Sequence, residues 1–220
     1  MCSPSHPMTQ VTPGPLVVAL ADPVRVAGAM RHTGRMADLR AGHLLVATPM
    51  LLDPNFAETV VLLLDADENG ALGVVLNRPS TVPVADVLET WADVVAEPEV
   101  LFQGGPVSTE GALAVGRLRS LDDAPVGFRE VADDLGVIDL DTPVELVDGS
   151  LDGMRIYAGY AGWGAGQLEA EIEEGSWYVV PSLPLDCFRD DTLGLWRDVL
   201  RRQPGELAWH STRPADPDLN

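Results

Sequence analysis

The chain has 220 residues, 46% of them apolar and 22% charged, which suffices for one full-sized domain with its own core and is short for two. Its 34 acidic residues outnumber 14 basic ones, all Arg, for a formal net charge of -20. A field of that sign repels a phosphate backbone, so direct nucleic-acid binding is disfavoured, and no apolar run approaches the roughly 20 residues that cross a bilayer.

Two cysteines, Cys2 and Cys187, cannot build a disulfide framework, which fits a reducing cytoplasm. The histidines His6, His32, His43 and His210 include no pair at metal-ligand spacing, so neither a structural metal nor a cofactor is expected. Residues 1–40 are expected to be an unstructured extension, with Met36 as an alternative start, and 41–220 the folded domain. "PLVVALADPVRVAGAM" looks like a signal-peptide core, but no basic residue precedes it and Asp22, Pro23 and Arg25 interrupt it.

From residue 43 the apolar run to 48, stopped by Pro49, predicts a buried strand. "DPNF" at 53–56 follows as an Asx turn built by Asp53 and Asn55, with Phe56 as a core plug. Runs at 59–64 and 71–76 flank Asn69-Gly70, the strongest short hairpin signal, and the second strand ends at Asn77-Arg78-Pro79. Over 83–95, Val84, Val87, Leu88, Trp91 and Val95 recur at helical spacing before Pro98, predicting an amphipathic helix.

"VLFQGGPV" reads as a strand running into a glycine turn, "GALAVGRL" as another strand and 135–140 as a third, with a polar connection before it. Asp141 or Thr142 would cap a short helix over 142–151. "MRIYAGYAG" is a predicted strand, "GQLEAEIEEG" a helix stopped by Gly175, "SWYVVPS" a strand, and "TLGLWRDVLRR" a helix with Leu193, Trp196 and Leu200 on one face. The pattern is that of a single mixed α/β layer protein.

Five ordered blocks, "GHLLVATPMLLDPNFAETVVLLLD", "GALGVVLNRP", "FQGGPV", "GYAGWGAGQLEAEI" with "WYVVP", and the closing "DPDLN", resemble the YqgE/AlgH family of bacterial proteins from Gly42 to Asn220. The resemblance implies one α/β (mixed α+β) domain in which a barrel-like, partly antiparallel central sheet is flanked by helices. It implies no assigned activity, although one branch is named for regulation of alginate production and some members are labelled transcriptional regulators. Where many relatives carry His after the second strand, this chain has Ala66.

The glycines of 159–166 have two readings. They could present a helix N-terminus to an anion, or they could simply turn the chain. The loop fits neither GxxxxGK[ST] nor GxGxxG, lacks Lys, and is followed by Glu169 and Glu171, which compete for the same N–H groups. The turn is favoured, and Tyr160 and Trp163 are likewise read first as packing rings.

Arg78 ends a strand, where it can clamp an oxyanion or pair with one of the many carboxylates. Asn55, Arg78, Gly104, Gly105, Trp163 and Gln167 all occupy loops beside strand or helix ends, and they are expected to line one ligand-binding cleft. No GxSxG elbow marks a nucleophile, and Cys187, beside Asp186, Asp190 and Asp191, is read as structural, so no catalytic residue is assigned. The favoured expectation is a non-enzymatic regulatory protein that binds a small molecule or a protein partner. A hydrolase or transferase of a phosphorylated or nucleotide-like metabolite is the alternative, and a DNA-binding regulator is disfavoured by charge.

Overall fold

The computed structural model describes residues 39–203. The expected extension before residue 40 lies outside them except for Leu39 and Arg40, as do Cys2 and the closing "DPDLN". In chain order the strands are β1 (His43–Ala47), β2 (Val60–Asp67), β3 (Gly70–Val75), β4 (Pro79–Pro83), β5 (Val100–Gln103), β6 (Val107–Leu118), β7 (Phe128–Ala132), β8 (Leu135–Ile138), β9 (Leu151–Gly164) and β10 (Trp177–Pro181). Helix α1 (Gln167–Glu173) precedes β10, and α2 (Leu195–Arg201) closes the described chain.

Valines and leucines buried on both faces make β1 and β2 the centre of one half of the sheet, and each fully buried side chain contributes about 1.5–3 kcal/mol. The hairpin to β3 turns on Glu68-Asn69, one residue earlier than the Asn-Gly signal centres it. The Asp67 carboxylate accepts the Asn69 N–H at 2.7 Å, and Gly70 supplies the positive φ of 142°.

The sheet runs in the order β10-β1-β2-β3-β9-β6-β8-β7, with β5 added parallel to β9 and β4 antiparallel to β5. It is a mixed α/β fold whose mostly antiparallel sheet curls into a half-barrel, with two α-helices among the described residues. Strand β9 belongs to both halves: its last residues pair with β3 from Gly70↔Gly164 to Gly73↔Ala161, and its earlier ones pair with β6 and β5. The strand turns at Gly159, whose φ of 70° suits a residue without a Cβ.

Three apolar clusters fill the fold. Inside the curl, Leu44, Leu62, Phe102, Tyr157 and Val115 meet Trp196, Val199 and Leu200 of α2. Outside the first half, Leu168 of α1 packs with Trp163, Trp177 and Phe56, so Phe56 does plug an apolar cluster. Behind the second half, Val84 and Trp91 cover Ala114, Met154 and Ile156.

Several expectations are corrected. The predicted helix over 83–95 is instead two 3-10 turns, Val84–Asp86 and Glu89–Trp91, because Val87 and Leu88 leave helical dihedrals and no side chain caps either turn. Four β-branched valines in that stretch weaken a helix, while their apolar side chains still reach the core from separate turns. The expected helix over 142–151 shrinks to one 3-10 turn, Val144–Leu146.

Two strands were missing from the sequence reading. β7 lies in the supposed polar connection and exposes Arg129 and Glu130, the charges that protect an edge. β4 runs between two prolines, which an edge strand tolerates because it has one unpaired side.

Candidate functional site

The site grows from the dipeptide Asn77-Arg78 in the bend between β3 and β4. The buried Asn77 amide accepts the Val60 N–H at 2.9 Å and donates to the Glu58 carbonyl at 2.8 Å, so both of its ends are satisfied. Beside it, Arg78 Nη2 donates to the Ala57 carbonyl at 3.2 Å. These bonds hold the loop between β1 and β2, where Glu58 adopts a left-handed φ of 56°. The loop's other end is the expected Asx turn: Asp53 Oδ1 accepts the Asn55 N–H at 2.7 Å, and the Asp53 carbonyl accepts from Phe56 and Ala57.

The "QGG" turn forms the opposite wall. Gln103 N–H donates to the Arg78 carbonyl at 2.8 Å, Gly104 N–H to Ala158 at 2.9 Å, and Val75 N–H to the Gly104 carbonyl at 2.9 Å. A Cβ on Gly104 would overlap the Gly159 carbonyl oxygen, and one on Gly105 would overlap the Tyr160 backbone. The glycines of "QGGP" and "GYAG" are therefore used against each other: two backbones pass at a separation that side chains would prevent.

Where β3, β5 and β9 meet, these walls enclose a hollow of about 300 Å³, at the lower end of ligand-pocket sizes. Val75 and Ala158 form an apolar floor, Arg78 and Gly105 stand at its sides, and Asn55, Gln103, Pro106 and Thr109 are exposed around the mouth. Arg78 is half-buried, and partial burial lowers its pKa while the nearby charge of Asp53 opposes that shift. Its hydrogen-bond partner is a backbone carbonyl, where sequence reasoning favoured one of the chain's carboxylates.

Of the six residues expected to share a cleft, Asn55, Arg78 and Gly105 line this hollow and the other three do not. Gly104 is buried beneath the wall, spent on strand contacts. Trp163 is buried in an aromatic group with Phe56 and Trp177, ring centroids 6.2 and 5.9 Å away, and its indole N–H donates to Glu171 Oε2 at 3.0 Å. Gln167 turns back on its own loop, accepting the Gly164 N–H at 3.1 Å and donating to Glu171 at 3.0 Å. Gln103 and Thr109 were missed; the "QGGPVST" context marked the loop but not which polar side chains would face the hollow.

The loop 159–166 turns a corner. Gly159 kinks β9, and Gly166, with φ 73°, stands at the start of the seven-residue α1. The predicted fold-back of a glutamate onto the helix N–H groups is replaced: Gln167 takes the Gly164 N–H, and Glu171 takes the indoles of Trp163 and Trp177.

Cys187 is wholly buried. Burial first, then the charge of Asp186, pushes its thiol up to about 12, and burial also raises the fully enclosed Tyr157 hydroxyl. In the folded protein both groups are held protonated, whereas the unfolded chain releases the thiol proton near the ordinary value of 9.0. The stability they contribute is complete below pH 9 and is lost as pH rises towards 12. We expect the denaturation midpoint to fall over that alkaline range and Cys187 to resist alkylation until the chain unfolds. Labelling of Cys187 in native protein as fast as in denatured protein would contradict this.

Buried Arg155 is a further residue the sequence did not single out. From the middle of β9 it donates to the carbonyls of Cys187 at 2.8 Å, Glu97 at 2.7 Å and Arg189 at 2.7 Å, with its guanidinium 4.4 Å from the Phe102 ring centre. It fastens two loops to the sheet.

Residues 44–208 match the family model described as AlgH-like. The chain is 57% identical over 182 residues to a UPF0301 protein of Streptomyces avermitilis, covering 81% of this chain and 94% of that one. It is 44% identical over 184 residues to a UPF0301 protein of Mycobacterium tuberculosis, covering 83% and 91%. A crystal structure of a Corynebacterium diphtheriae protein matches with a TM-score of 0.77 at 35% identity, over 82% of this chain and 95% of that one. The solution structure of the AlgH protein from Pseudomonas aeruginosa matches with a TM-score of 0.59 at 28% identity, over 84% and 100%.

Proposed function

The chain belongs to the AlgH-like family, and on that premise we propose that it is a non-enzymatic binding protein of regulatory type, whose hollow at Arg78 receives a small ligand or a partner's side chain. The observation that carries this reading is the half-buried Arg78 guanidinium, which gives one hydrogen bond among the described residues and borders a hollow. Arg holds its charge at any physiological pH, and the amides of Asn55 and Gln103 do not titrate. These groups bind and orient; they do not shuttle protons. The loop that carries Asn55 also exposes Met50 and Leu52, apolar surface of the kind a protein partner would cover.

A thermal-shift screen of small metabolites tests the proposal. A ligand at a hundred times its Kd adds about 2.7 kcal/mol, or about 5–10 °C of Tm in a domain of this size. The shift should vanish in Arg78→Ala and shrink in Asn55→Ala. A shift that both variants retain would move the site elsewhere.

A further inference from the structure

We propose that the hollow is a site for a small monocarboxylate, its headgroup on Arg78 and a short apolar stem on Val75, Pro106 and Ala158. The inference rests on the binding reading above and adds the ligand's charge and size. Charge is the first argument. Among the described residues Arg78 is the only charged side chain lining the hollow, and Asp53 lies close enough to interact with it electrostatically. The site therefore offers one positive charge at most, inside a chain of formal charge -20. A monoanion is matched. A phosphate monoester, carrying about -1.5 to -2 near neutral pH, brings surplus charge into an already negative field.

Shape is the second argument. A guanidinium fork meets the two oxygens of a carboxylate in one plane, and the primary amides of Asn55 and Gln103 at the mouth can donate to the same oxygens. The apolar lining is small: Val75 is 1% exposed, the half-buried Ala158 adds a methyl group, and Pro106 at the mouth adds aliphatic surface without a polar side-chain atom. A volume of about 300 Å³ suits a short aliphatic acid and is small for a dinucleotide.

The test is calorimetric titration of the full chain near neutral pH with three probe sets: butyrate and hexanoate, their uncharged amides, and butyl phosphate with AMP. Carboxylates should bind, and the amides should bind about ten- to a hundredfold more weakly, the loss expected for a charge-assisted hydrogen bond. Butyl phosphate should gain affinity as pH falls below its second pKa of about 6 and it becomes a monoanion. Arg78→Gln should lose about tenfold or more of the carboxylate affinity. Thr109→Trp, which fills the mouth from an exposed position, should block binding while circular dichroism shows the fold intact. Tighter binding of butyl phosphate or AMP than of hexanoate at neutral pH would overturn the carboxylate assignment and leave the binding reading standing. Failure of every probe at millimolar concentration would overturn the carboxylate assignment and leave the wider binding reading to the metabolite screen, whereas carboxylate binding that Arg78→Gln and Thr109→Trp leave unchanged would move the site away from the hollow and overturn both.

Discussion

Replacing Arg155 by alanine is expected to lower the unfolding free energy by about 3–5 kcal/mol, enough to move Tm by about 10 °C in a domain of this size. The side chain is 1% exposed, and its three hydrogen bonds end on carbonyls of Glu97, Cys187 and Arg189, residues far apart in sequence. Truncation leaves those carbonyls without their donor, facing a void beside Phe102. Nε is buried with no acceptor among the described residues, which hold the guanidinium through its two terminal nitrogens. Arg155→Lys keeps the charge and loses the fork. A single ammonium cannot reproduce both terminal nitrogens, so that variant should retain only part of the stability. Urea unfolding of the two variants checks the account; a loss of less than about 1 kcal/mol in Arg155→Ala would mean the loops are held by other means.

The second large effect is expected at Glu171. Its Oε2 accepts the indole N–H of Trp163 at 3.0 Å and of Trp177 at 2.8 Å, and its Oε1 accepts from Gln167 at 3.0 Å. One carboxylate thus ties α1 to the ends of β9 and β10. Glu171→Ala strands two indole donors in an apolar cluster, at a cost of about 2–4 kcal/mol. Glu171→Gln keeps one carbonyl oxygen for the indoles and should lose about 1 kcal/mol. The near-UV circular dichroism and tryptophan emission should change markedly in the alanine variant and little in the glutamine one. Equal stability of both variants with wild type would show that packing alone seats the indoles.

The particular elements show what a sequence of this kind discloses. β1, β2, β3, β5, β10, α1 and α2 were legible because each combines a periodic or continuous apolar run with a glycine, proline or polar boundary. β7 was not legible, since Phe128, Val131 and Ala132 are its only apolar residues and its identity comes from pairing with β8. The stretch 84–91 was misleading for a related reason: helical spacing of apolar residues records which side chains reach a core, and two short 3-10 turns satisfy it as well as one helix does.

The hollow was half legible. Asn55, Arg78 and Gly105 announce themselves by residue type at element ends, and they meet because β3 and β5 both adjoin β9. Trp163 and Gln167 share those same signals yet lie with α1, because the bend at Gly159 sends the end of β9 to the other half of the sheet. A strand's partner changes there, and one sequence carries no local sign of which loops fall on which side. Arg155 shows the same limit in the core, as an arginine in a strand reads as exposed until its three carbonyl acceptors are seen.

The most direct measurement is an amide chemical-shift map of the isotopically labelled chain during titration with hexanoate. If the hollow at Arg78 is the site, resonances of the Asn55 and Gln103 side-chain amides, Gly105 and Thr109 should move together and saturate, while those of Trp163 and Gln167 stay fixed. Shifts centred on Trp163 and Gln167, or none at saturating ligand, would contradict it.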